Sequence, residues 1–69
     1  DWIGVLTEAA NQAVAHGDLR HDTDVPTLVF ELNALVIAAN TAYILHDDPA
    51  VLAQARTAIE RVIGAATSP

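Results

Sequence analysis

This chain has no cysteine, methionine or lysine, and only three each of glycine, proline and aromatic residues. Without cysteine, no disulfide constrains the unfolded chain and no thiolate binds a metal. Three arginines stand against nine acidic residues, for a net charge of −6. A sequence-independent grip on a phosphate backbone needs clustered cations, so these residues do not themselves bind nucleic acid. No glycine-rich linker, internal repeat or strand-like alternation interrupts the chain. At 69 residues it is one domain at most. Chains of this size bury only about 60% of the surface they expose unfolded. Yet 52% of the residues are hydrophobic and 17% charged, which implies that part of the apolar surface belongs to a partner.

The sequence opens on Asp1 and runs straight into helical pattern, which reads as a piece of a longer protein; no basic, apolar and small-residue series within it marks a signal peptide. From Trp2 to His16, Thr7, Glu8, Asn11 and Gln12 recur at helical spacing, with Trp2, Val5, Leu6, Ala9, Ala13 and Val14 on the other side. Gly17 follows, where a left-handed residue closes a helix without a Cβ clash, and Leu19 can fold back as its apolar plug. Asp22, Thr23 and Asp24 then offer oxygens to the free amides of a new first turn, and Pro26 sits where a missing amide hydrogen costs nothing. The stretch "HGDLRHDTDVP" is therefore a C-cap, a corner and an N-cap. A second mark, "HDDPAV", sets Asp48 as cap and Pro49 as first helical residue. After it, Val51, Leu52, Ala55, Ile59, Val62 and Ile63 share one face, opposite Gln54, Thr57, Glu60 and Arg61. The expected fold is all-α: three helices at about 2–16, 25–45 and 49–66.

The middle helix is the informative one. At about 100° per residue it divides into sectors: a large apolar face of Leu28, Leu32, Leu35, Val36, Ala39 and Tyr43, and a small-residue face of Ala34, Ala38, Thr41 and Ala42. Phe30, Ile37 and Ile44 surround Asn33 and Asn40, which lie seven apart and so stack on one side. A helix that is apolar nearly all round is buried nearly all round, and two shorter helices cannot surround it. A further surface must come from a second copy or from other chain. Glu31, Asn33 and Asn40 interrupt the apolar run and acids flank it, which makes it a poor membrane span. The two asparagines allow two readings: hydrogen bonds between helices that fix register, or polar contacts at the edge of a small-molecule pocket.

Catalytic and metal chemistry find no matching constellation. His16, His21 and His46 lack the three- or four-residue spacing that places two ligands on one helix face. Asp48 is explained by capping and Asp47 by exposure. Ser68 is terminal, with no histidine that spacing would bring to it. Trp2 and Tyr43 read as core or interface rather than as a cofactor box. No enzyme activity, metal or cofactor is expected.

The run "AVAHGDLRHDTDVPTLVFELNALVIAAN", followed by "DDPAVLAQARTAIERVI", resembles the C-terminal end of a TetR-type transcriptional regulator. The likeness rests on Gly17, Leu19, Arg20, Asp22, Asp24 and the "FEL" of Phe30 to Leu32, and it spans nearly the whole chain. Relatives often place glycine in the long helix where this chain has Ala38, which still permits close packing. The resemblance implies a domain, residues 1–69, that binds a small-molecule effector and forms a homodimer. In that homodimer the last two helices pair with the partner's in a four-helix bundle. It also implies an N-terminal helix-turn-helix, outside these residues, through which alone DNA is read, and a cytoplasmic repressor released from its operator by the effector. The expected interface is Ala34, Ala38, Ala42, Leu45, Leu52, Ile59 and Val62; the expected pocket edge is Phe30, Asn33, Ile37 and Asn40. Two rivals remain in view. An acyl-carrier-like domain would need a serine at a helix start, and Ser68 is the only serine. A free-standing helical interaction module of antitoxin or adaptor type would lack the helix-turn-helix.

Overall fold

The computed structural model describes residues 1–67; Ser68 lies outside them. The chain folds as α1 (Trp2–Ala15), α2 (Val25–His46) and α3 (Ala50–Thr67), with no strand among the described residues. The boundaries fall within a residue of those expected, and the caps say why. Asp1 accepts the Gly4 amide at the start of α1, a cap the sequence reading did not assign. At the other end His16 is the C-cap and Gly17 takes φ +81°. The Asp18 amide then reaches back to the Ala13 carbonyl at 2.9 Å and the Gly17 amide to Val14 at 3.1 Å. These bonds satisfy carbonyls that the end of a helix leaves open. Leu19 folds back and is buried, as its place after the glycine predicts.

Asp24 starts α2: its carboxylate accepts the Thr27 amide at 3.2 Å and the Thr27 hydroxyl at 2.7 Å, with Pro26 in the first turn. α2 ends one residue later than expected, at His46, because Asp47 adopts the left-handed conformation (φ 49°) and donates its amide to the Tyr43 carbonyl. Asp48 accepts the Ala50 amide at 2.9 Å. Pro49 sits in the turn just before α3, which runs one residue beyond the expected end.

Among the described residues only Ala10, Leu19, Leu28, Val29 and Ala39 are buried. Four of them cluster where α1, the corner and the first half of α2 meet, with Leu6, Ala13, Val14, Leu32, Val62 and Ala66 packed around. α2 packs against both other helices, while α1 and α3 do not pack on each other among the described residues. One backbone hydrogen bond, from the Arg20 amide to the Ala66 carbonyl at 2.9 Å, ties the corner to the end of α3. The inward stripe of α1 is narrower than its sequence pattern. Trp2, Val5 and Ala9 lie outside, because α1 has a single neighbour and a single neighbour covers a single stripe.

The result is a slab, 39 × 27 × 15 Å. Its radius of gyration is 13.1 Å, against about 11 Å for a compact chain of this length. It exposes 4904 Å², about 700 Å² more than surface scaling gives for a compact monomer of its mass. The chain has not closed around itself.

Candidate functional site

The expected large apolar face of α2 is turned to the core over most of its length: Leu28 and Ala39 are buried and Leu32, Leu35 and Val36 half-buried, but Tyr43 near the end of the helix is exposed. On the opposite side Phe30 is 73% exposed, Ile44 79% and Leu45 71%, with Ile37 more than half exposed between them. Ala34, Ala38 and Thr41 share that outward side and are exposed as well. The sequence is legible here as physics. At about 100° per residue, positions 30, 34, 37, 41 and 44 fall within one stripe, and none of the described residues lies over it.

The expected interface residues divide. Ala34, Ala38 and Leu45 stand on the uncovered side of α2, and Ala42 is half-buried at its edge. In α3, Leu52 is exposed and Ile59 half-buried, but Val62 packs against the chain's own core. Ile63, which was not among the expected contacts, is exposed as Leu52 is. The expected pocket edge is brought together along α2 as an open face rather than a hollow. Phe30, Ile37 and Asn40 are exposed and Asn33 is half-buried. Neither asparagine amide has a side-chain hydrogen-bond partner among the described residues.

The hollows lie elsewhere. One of about 250 Å³ opens at the corner, with Arg20, Asp22, Asp24 and Glu31 at its rim and Leu28, Val62 and Ala66 beneath. Another, along α3, is a furrow between Ala53, Gln54, Thr57, Ala58 and Arg61. Neither is lined by Phe30, Asn33, Ile37 or Asn40. At the corner, Arg20 grips Asp22 with two parallel bonds, Nε to Oδ1 at 3.0 Å and Nη2 to Oδ2 at 2.8 Å. The Arg20 hydrogen bonds hold the Asp22 carboxyl below the usual range, and the Thr27 hydroxyl and then its amide do the same for Asp24. Both carboxylates are already occupied, as an ion pair and a cap, which leaves Glu31 as the rim's unengaged acid among the described residues.

By length and composition α2, with mean hydropathy 1.7, is apolar enough to cross a membrane. Glu31 interrupts its apolar run on the exposed side, and α1 and α3 pack along its other side.

Residues 1–59 match the tetracyclin repressor-like C-terminal domain. The chain belongs to that family. The match covers α1, the corner, α2 and the first half of α3, so the uncovered α2 stripe lies wholly inside it. Comparison with curated proteins returns no match, and neither does comparison with solved structures. Members of the family typically dimerise and bind ligands.

Proposed function

We propose that this chain is the dimerisation and effector-sensing part of a TetR-like transcriptional regulator, a cytoplasmic repressor that leaves its operator when a small molecule binds. The role is regulatory and not enzymatic. DNA is read by a helix-turn-helix outside these residues, since three arginines in a chain of net charge −6 make no phosphate-binding surface.

The observation that carries this reading is the uncovered stripe of α2, together with the roughly 700 Å² of surface in excess of a compact monomer. A standard protein–protein interface takes about 800 Å² from each partner, so one second copy accounts for the excess. The stripe is uncharged and mostly apolar, as the core of an interface is. Dimerisation then sets the separation of two DNA-reading heads. An effector that binds one arrangement more tightly than the other shifts the population by that difference, and operator affinity follows by linkage.

The test is made in the whole regulator. Ile37→Glu replaces an exposed side chain, so the fold of the chain is kept while each copy would bury an uncompensated carboxylate in the interface. Operator affinity, measured by fluorescence anisotropy, falls at least tenfold although the helix-turn-helix is untouched. Unchanged affinity from a protein that has become monomeric would contradict the reading.

A further inference from the structure

The uncovered stripe of α2 has an internal pattern that dimerisation alone does not require. Thr27, Phe30, Ala34, Ile37, Thr41 and Ile44 succeed one another at alternating steps of three and four residues, the spacing of a coiled-coil seam. Along it large and small side chains alternate strictly. Thr27, Ala34 and Thr41 take one seam position, and Phe30, Ile37 and Ile44 take the other. All six are exposed in the chain. Interfaces pack to the density of protein interiors, so this pattern restricts how two copies can meet.

We propose that α2 pairs with α2 of a second copy in antiparallel orientation, about a two-fold axis crossing the helix between Leu35 and Val36. The proposal rests on the two-copy reading above and adds the orientation, the register and the role of the asparagines. The axis falls at the middle of Val25–His46. About it, Phe30 meets Thr41 of the second copy, Ala34 meets Ile37 and Thr27 meets Ile44. Every layer then joins one large side chain to one small one. In a parallel pair the layers join like to like: Phe30 to Phe30 and Ile37 to Ile37 would wedge the helices apart, leaving voids over Ala34 and Thr41. Voids forfeit the contacts that close packing supplies.

The flanks agree with this register. On one side it sets Asn33 beside Asn40 of the second copy, which gives both unpartnered amides an amide to bond and penalises a shifted register, as buried asparagines do. On the other side it sets Glu31 beside Ala38, so no acid faces an acid despite the −6 charge of each copy. The seam therefore accounts for Phe30, Asn33, Ile37 and Asn40 as inter-copy contacts rather than pocket lining.

Because the chain has no cysteine, disulfide trapping reads the register directly. Copies carrying Phe30→Cys and copies carrying Thr41→Cys are mixed under a glutathione redox buffer. Thr27→Cys with Ile44→Cys is a second, independent pair should either Phe30→Cys or Thr41→Cys weaken association. In the proposed register each mixture gives a mixed disulfide at least tenfold faster than either variant alone. Like residues at position 30 lie about 16 Å apart along the helix, beyond the roughly 7 Å that a disulfide can span. A Phe30→Cys homodisulfide forming as fast as the mixed one overturns the antiparallel seam. A chain of dimeric mass with no mixed disulfide overturns the seam and leaves the two-copy reading standing. A monomeric mass for the unsubstituted chain overturns both.

Discussion

Gly17 and Asp47 hold similar left-handed backbone conformations, at φ +81° and φ 49°, with different residues. An L side chain there places Cβ too close to the following carbonyl oxygen, at a cost of roughly 1–2 kcal/mol. No atom lies within 4 Å of where a Cβ on Gly17 would sit, so Gly17→Ala isolates that backbone term and lowers unfolding stability by about 1 kcal/mol in urea. Asp47→Gly works the other way and gains up to about 1 kcal/mol. A second residue-scale expectation concerns acid. Asp22 and Asp24 both titrate below their ordinary value, through the Arg20 and Thr27 hydrogen bonds respectively. A depressed carboxyl contributes stability that is fully present above its unfolded value, near 3.9, and is lost as pH falls through the folded value. The urea midpoint should therefore hold steady above about pH 5 and decline below pH 4, and the double variant Asp22→Asn, Asp24→Asn should flatten that decline. At this scale much was legible beforehand. Gly17, Asp24, Pro26 and Asp48 announce their turns through residue type alone. Asp47 did not, because an aspartate closing a helix in the left-handed region looks in sequence like any exposed acid next to a cap.

Leu28 and Phe30 stand two residues apart on α2 and face opposite ways: Leu28 is 5% exposed, Phe30 73%. Truncating the first opens a cavity under α1, so Leu28→Ala costs about 3 kcal/mol of folding stability. Truncating the second removes little from the single chain. Phe30→Ala should leave the folded helical signal of dilute chain unchanged and weaken association at least tenfold, about 1.4 kcal/mol, read by sedimentation. The period of the apolar residues carried this division into the sequence, since positions 28, 32, 35 and 39 fall opposite 30, 34, 37 and 44. The period did not carry which apolar residues of α1 would be covered. Trp2, Val5 and Ala9 share a helix side with Leu6 and Ala13 in pattern, and only the absence of a second neighbour for α1 leaves them outside. Nor does any local pattern reveal the Arg20 amide reaching the Ala66 carbonyl, a contact between backbone groups 46 positions apart.

At the scale of the whole molecule, three measures agree: the chain is wider than a compact domain, exposes more surface than its mass warrants, and leaves bare one whole side of its most apolar helix. Among the described residues five are buried, so the core of this 69-residue chain is thin. The tetracyclin repressor-like match supplies the family, and the two-copy proposal rests on the bare side of α2. The direct measurement is sedimentation equilibrium of the unsubstituted chain beside Ile37→Glu, over a range of concentration with helical content followed in parallel. The account predicts twice the 7.3 kDa chain mass for the former and a single chain mass for the latter. A fully helical unsubstituted chain that stays at single mass at the highest concentration would contradict it.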